Sequence, residues 1–211
     1  MKLITLSNTT DEVIELAISL QKGQRVDLTK GNPGLSKIMV GLGWDPVDSR
    51  GGKGFFGSLF GGGNTAPNVD CDASVLLLSE NEKLTNQKDV IYFGNLTSVD
   101  GSVEHSGDNL TGDGDGDDEQ IYIELTKIPA NIHKIVFAVN IYDCVKRSQH
   151  FRIVNPATRE DLIRYNLSDD YSGKTSLIVG EIYRNGSDWK FAAIGNGTSA
   201  TGLNELVRSY T

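Results

Sequence analysis

Along most of this chain, short runs with a hydrophobic residue at every second position alternate with clusters of Gly, Asn, Asp and Pro. A period of two puts alternate side chains on opposite faces of a strand, so the pattern predicts strands joined by turns. QRVDLT (24–29), SKIMVGLGW (36–44), DASVLLLSE (72–80) and DVIYFGN (89–95) open the series. In QIYIELT (120–126), Ile121, Ile123 and Leu125 share one face; in HKIVFAVNIYD (133–143), Ile135, Phe137, Val139 and Ile141 do the same. One apolar face per strand is the antiparallel pattern. EDLIRYNLS (160–168), KTSLIVGEIYRN (174–185) and DWKFAAIG (188–195) complete the set. Pro33 and Gly34 in GNPG (31–34) predict a tight turn, SVDGSVEHSG (98–107) reads as a hairpin-like turn, and Asn185-Gly186 predicts a type I′ hairpin. VIELAISL (13–20) fits a strand or a short helix equally, and GLNELVRSY (202–210) suits a short closing helix. The fold expected is all-β: an antiparallel β-sandwich with long connecting loops and a short C-terminal helix. One domain over 17–211 suffices, with 1–16 an N-terminal extension or an added strand.

The alternation stops twice. From Asp45 to Asn68 the chain is glycine-rich, yet GGKGFFGSLFGGG (51–63) carries Phe55, Phe56, Leu59 and Phe60 at a spacing that one helical turn would gather on one side. The plainer reading is an insertion (51–68) packed loosely on the body. The sharper one is an adhesive segment for a protein partner or a membrane surface.

The second interruption, GDNLTGDGDGDDE (107–119), holds Asp108, Asn109, Asp113, Asp115, Asp117, Asp118 and Glu119 between glycines. Carboxylates this dense repel one another, and Ca²⁺ is a hard cation that takes roughly 6–8 oxygen ligands. A solvated acidic loop is the plainer alternative, but this run lies between apolar strands rather than in a tail. The EF-hand pattern fails here: Asp113, Asp115 and Asp117 fit its first positions, but Asp118 stands where the sharp turn needs Gly, and Glu124 lies in a strand. Further oxygens must come from elsewhere. Asp70 and Asp72 in DCDAS share one face of an extended chain while Cys71 points the other way, and Asp45 at a strand end is a third candidate.

Composition narrows the function. A net charge of −8 over 211 residues argues against nucleic acid as a partner and suits cations. Two cysteines far apart, Cys71 and Cys144, favour a reducing compartment. With neither a secretory signal nor a run long enough to span a bilayer, a cytoplasmic location is expected, with attachment to the inner membrane face through 55–60 as the variant.

KGQRVDLTK (22–30), VGLGWD (40–45), DCDAS (70–74), GSVEHSGDNLTGDGDGDDE (101–119), ANIHKIVFAVNIYD (130–143), RYNLSDDYS (164–172) and GEIYRNGSDWKFAAIGNG (180–197) together resemble the TerD-type tellurium-resistance and stress-response family. The resemblance runs from about Ala17 to Tyr210. It implies a β-sandwich that binds two Ca²⁺ at one end, bacterial origin, and a role in stress tolerance without catalysis, exercised through other stress-response proteins. Carried over by residue, it implies ligands from Asp45, Asp70, Asp72, Asp108, Asn109, Gly112, Asp113, Asp117, Asp118 and Glu119. Three departures stand out: residues 1–16 precede the family's usual start, the 51–68 insertion is long, and His150-Phe151 runs into Arg152-Ile153-Val154 where the family has a further turn.

His105, His133 and His150 lack zinc-like spacing, though His105 could hydrogen-bond a ligand carboxylate. A redox role for the cysteines and a serine triad find no support in their neighbours. The alternative to a calcium-binding stress protein is an enzyme holding Mg²⁺ against a phosphorylated substrate with the DGDGDD carboxylates. Residues 104–120 contain no Lys or Arg to bind that phosphate.

Overall fold

In the computed structural model, the described residues are 17–44, 70–107, 117–142, 149–167, 171 and 173–211. The alternating runs fold into two sheets. The first sheet contains β1 (Ile18–Leu20), β3 (Lys37–Trp44), β6 (Val103–His105), β7 (Glu119–Glu124), β9 (Gln149–Asn155) and β10 (Glu160–Leu167), in the order β1-β10-β9-β3-β7-β6. The second contains β2 (Arg25–Asp27), β4 (Asp70–Leu78), β5 (Val90–Ile91), β8 (Lys134–Tyr142), β11 (Ser176–Asn185) and β12 (Asp188–Thr198), in the order β2-β12-β11-β8-β4-β5. The inward sets of both sheets form one core, with Ile38, Val40, Ile121 and Ile153 from the first and Val75, Leu77, Ile135 and Val139 from the second. Phe151 bridges the two, with its ring centroid 5.4 Å from Phe137 and 5.2 Å from Phe191, and all three rings are fully buried. Burying each such ring contributes about 1.5–3 kcal/mol. This is the expected all-β sandwich.

A second apolar cluster lies on the outer face of the second sheet. There Leu76, Leu78 and Val136, the side chains alternating with the core set, pack under Leu203, Val207 and Tyr210 of the C-terminal segment. The helix α1 (Leu203–Arg208) forms because its apolar residues recur at helical spacing, and this contact gives them somewhere to be buried.

Some expectations change. Within 13–20, the described Ile18–Leu20 is a strand, and it pairs with β10 in parallel, so the sandwich is not wholly antiparallel. DVIYFGN yields only Val90–Ile91, preceded by a 3-10 turn at Gln87–Asp89; the side-chain amide of Asn95 donates to the Val90 carbonyl, folding the rest back. The hairpin between β11 and β12 has Gly186-Ser187 as its central pair, flanked by Asn185 and Asp188. Only Gly186 has a positive φ, of 67°, which fits a type II′ turn rather than I′. Phe151 and Arg152 are consecutive rungs of β9, facing Leu42 and Gly41 of β3, so the strand runs unbroken through the point where the family pattern is shortened.

Candidate functional site

The acidic segment re-enters the sandwich through Asp117, Asp118 and Glu119, three residues held in three ways. Asp118 joins the ladder through its backbone, its N–H donating to the Leu42 carbonyl at 2.8 Å. Asp117 turns to the outer face of the first sheet, where its fully buried carboxylate receives two hydrogen bonds from Arg152, from Nε at 2.7 Å and Nη2 at 2.8 Å. His150 Nε2 lies 3.5 Å away. The carboxylate fits because residue 41 is glycine: a Cβ there would lie 2.2 Å from the Asp117 Cγ. Burial alone would raise the Asp117 pKa, but the hydrogen bonds from His150 and Arg152 and the Arg152 charge outweigh it and hold it below the ordinary carboxylate value. Arg152 also reaches Asp161 at 2.8 Å, and Asp161 pairs in turn with Arg164.

Glu119 points the other way, inward with Ile121 and Ile123. Across the sandwich from it, β4 has lost its neighbour: β5 pairs only at Val75 and Leu76, so Ala73 presents a bare N–H and C=O at the sheet edge. The first sheet supplies partners for both. Ala73 N–H donates to Glu119 Oε2 at 2.6 Å, and His105 Nε2 lies 3.2 Å from the Ala73 carbonyl. Gly107 N–H donates to His105 Nδ1 at 3.0 Å, so Nδ1 is the acceptor and Nε2 carries the hydrogen that goes to Ala73. Glu119 Oε2 is 3.6 Å from the same Nε2. The residue is 1% exposed, and its other oxygen, Oε1, has no hydrogen-bond partner among the described residues. Leaving such an acceptor unsatisfied costs about 1–3 kcal/mol, more if charged.

Asp72 is half-buried on the outer face of the second sheet, opposite Asn140 of β8, while Cys71 is buried in the core as the alternation requires. Asp70 sits two rungs along, opposite Tyr142. The ligand set therefore divides among layers, with Asp117 outside the first sheet, Glu119 between the sheets and Asp72 outside the second. Glu119 and the Asp72–Ala73 peptide are brought together; Asp117 is held apart by Arg152. Asp45, Asp108, Asn109, Gly112, Asp113 and the apolar group Phe55, Phe56, Leu59 and Phe60 lie outside the described residues. Among the described residues, no three His, Cys, Asp or Glu side chains converge as a metal-binding group. A complete coordination shell would draw on the 108–116 segment. Nothing in the sequence marks Arg152 or Gly41 as part of a site. The period-two pattern of QHFRIVN puts Arg152 on the polar face, but nothing local marks Asp117 as its partner.

The fold and this edge define a two-sheet β-protein whose first sheet takes up the end of an acidic segment at Asp117–Glu119. The TerD domain family model matches residues 16–210. The chain is 61% identical over 203 residues to stress response protein SCP2 of Bacillus subtilis (strain 168), covering 92% of this chain and all of that protein. It is 40% identical over 203 residues to the tellurium resistance protein TerD of Serratia marcescens, covering 92% of this chain and 97% of that one. A solved homologue of telluride resistance protein TerD from Streptomyces coelicolor A3(2) matches in fold with a TM-score of 0.55 at 22% identity, over 78% of this chain and 91% of that chain. The chain belongs to the TerD domain family of tellurium-resistance and stress-response proteins. Among the described residues, no helix is long and apolar enough to cross a membrane.

Proposed function

We propose that this protein is a non-enzymatic calcium-binding stress-response protein, holding two Ca²⁺ where the acidic loop meets β4 and acting through protein partners. The observation that carries this reading is the buried Glu119 carboxylate, whose Oε1 has no hydrogen-bond partner among the described residues, beside the open edge of β4. A hard cation satisfies such an oxygen, and the acidic segment leading into Glu119 is rich in the oxygen donors it takes. Glu119 would supply one ligand, Asp72 and Asp70 would approach from β4, and the loop would supply the remainder. The ion's contribution is charge neutralisation and cross-linking: it would tie the loop to both sheets. Partners would be met through that ordered surface and through Phe55, Phe56, Leu59 and Phe60, at a membrane face or on another stress-response protein.

Calorimetric titration of the full chain with Ca²⁺ and Mg²⁺, alongside thermal unfolding, tests this. Ca²⁺ at a hundredfold its Kd should stabilise by about 2.7 kcal/mol, a rise in Tm of roughly 5–10 °C for a chain of this size. Chelator should reverse it, and Mg²⁺ should do less. A Tm unmoved by millimolar Ca²⁺ and by chelator would overturn the reading.

A further inference from the structure

Asn-Gly occurs twice in the chain, at Asn185-Gly186 and at Asn196-Gly197, and both asparagines are exposed. The dipeptide is reactive because the backbone nitrogen after an asparagine can attack its side-chain carbonyl carbon, and glycine leaves that nitrogen unshielded. Attack requires the nitrogen to swing towards Cγ, so the backbone at the pair must be able to rotate. The fold treats the two pairs differently.

Asn185 and Asp188 form the last rung of β11 and β12, and Gly186-Ser187 is the turn between them. Gly186 has a φ of 67°, and nothing lies within 4 Å of the place a Cβ would occupy there. Among the described residues, neither the Asn185 side chain nor the Gly186 N–H has a hydrogen-bond partner. Rotation at this pair therefore opens a single terminal rung, the kind of local opening that costs least. Asn196 and Gly197 lie inside β12 instead, on consecutive rungs opposite Ile178 and Leu177, with the Ser176–Thr198 rung beyond them. Gly197 is also covered: a Cβ there would lie 2.7 Å from Lys174 Cγ and 3.2 Å from Tyr171 Cδ1. Rotation at this pair must part several rungs and displace two side chains.

We infer that Asn185 is a site of spontaneous covalent modification, converted by water to aspartate and isoaspartate, and that the sheet protects Asn196 from the same reaction. The Gly186 nitrogen bonds to Asn185 Cγ, the Cγ–Nδ2 bond breaks, and Nδ2 leaves as ammonia with the Gly186 proton. Water then opens the cyclic imide. Addition at Cγ gives aspartate, and addition at the main-chain carbonyl carbon gives isoaspartate, with the chain now running through the side chain. Ammonia is lost, water is gained, and nothing is oxidised or reduced. Both products bear on the turn. Each places a carboxylate across the rung from Asp188, and like charges directly opposite are destabilising. The isoaspartyl link also adds a methylene to the main chain beside a turn whose geometry sets the strand register. Thr29 is held there, its Oγ1 accepting from the Trp189 N–H at 2.9 Å and donating to Asp188 Oδ1 at 3.3 Å, so the chain after β2 should loosen with the turn. The turn is at the far end of β11 from Ser176, which faces Asn140 and, through it, Asp72, so the reaction does not rest on the calcium reading.

The test is to age the full chain in mildly alkaline buffer, folded and in urea, and to follow both asparagines by peptide mass spectrometry. Trypsin separates the two pairs, because Lys190 lies between them, and a sample digested before ageing corrects for conversion during digestion. In the folded chain, conversion at Asn185 should be at least about tenfold faster than at Asn196, since every further rung to be opened adds to the barrier. In urea the two rates should converge. An isoaspartyl methyltransferase supplied with labelled S-adenosylmethionine should methylate the aged folded chain, and Asn185→Gln should remove most of that label, because the longer side chain closes its ring more slowly. Equal rates at the two positions in the folded chain, a faster Asn196, or an Asn185 that converts in urea but not in the folded chain would each overturn the inference. So would a methyl label unchanged in Asn185→Gln. Should that variant fail to fold, the comparison of Asn185 with Asn196 in the unaltered chain decides.

Discussion

Asp117 and Glu119 are two buried carboxylates two residues apart on the same strand entry, and the fold treats them oppositely. Asp117, on the outer face, has both oxygens on the Arg152 guanidinium and its carboxylate pressed against Gly41. Glu119, between the sheets, has one oxygen on the Ala73 N–H and the other on nothing described. A bidentate arginine fixes geometry as well as charge, so Asp117 already has what a buried anion needs. Glu119 does not. The difference suggests a division of labour. Asp117 pins the acidic segment to the sheet through Arg152, and Glu119 keeps an unmet oxygen, the one that the calcium proposal uses.

The sharpest way to break this contrast is to remove the partner from the satisfied side. Arg152→Met strands Asp117 in a buried position and should destabilise the chain by about 3–5 kcal/mol, the range for an orphaned buried charge. Urea unfolding in chelator measures it. A loss below about 1 kcal/mol, the range for an exposed pair, would mean that Asp117 is solvated and that the contrast is false.

Gly41→Ala attacks the same anchor by volume instead of charge. The added methyl would stand 2.2 Å from the Asp117 Cγ, so the carboxylate must move off Arg152. The expected cost is about 1–3 kcal/mol, as for other overpacked sites. If the two variants act through one interaction, their combination will cost less than the sum of the singles.

Glu119→Gln should do the reverse. The amide keeps an oxygen for the Ala73 N–H and removes a buried charge, so stability in chelator should rise by about 1 kcal/mol, the scale of one relieved polar group. Stabilisation by Ca²⁺ should shrink at the same time. A variant destabilised in chelator and equally responsive to Ca²⁺ would place Glu119 among the structural carboxylates with Asp117.

Much of the fold was legible because the information is local. A period of two in segments such as HKIVFAVNIYD specifies which face is buried, and the register that results follows from burying that face. The misreadings were of edges and partners. DVIYFGN has strand composition, but Asn95 supplies its own backbone partners by folding back, and no propensity scale sees that bond. Ile18–Leu20 pairs in parallel with a strand about 145 residues later, as its register with Ile163–Tyr165 shows, and only the folded topology sets that direction. For the site, the density of carboxylates was visible, but their inequality was not. Asp117 and Arg152 are 35 residues apart, and Glu119 meets Ala73 across 46. The second contact depends on which strand ends early: β5 stops short of Ala73, and that vacancy on the β4 edge draws in Glu119 and His105.

The smallest expected effect lies at the other end of β8, and it asks whether the asymmetry belongs to the acidic end alone. Lys134, opposite Leu78 of β4, contacts Glu82 at 2.5 Å and Glu181 at 3.0 Å. Burial alone would lower its pKa, but hydrogen bonds to Glu82 and Glu181 and their charges outweigh that and raise it above the ordinary lysine value. A raised folded-state pKa contributes stability that is complete below the unfolded value, near 10.4, and is lost as pH rises through the folded one. Burial raises the Tyr210 pKa as well, and its ionisation acts in the same direction. Stability should therefore fall above about pH 10.4, with the Lys134 share, read as the difference from Lys134→Met, no more than about 1 kcal/mol for a partly exposed network. This loss should be the same in Ca²⁺ and in chelator, since distant sites without shared partners act independently. An alkaline loss that changed with Ca²⁺ would mean that β8 transmits the state of the acidic end along its length, and Asp117 and Glu119 would then have to be read as parts of one coupled unit.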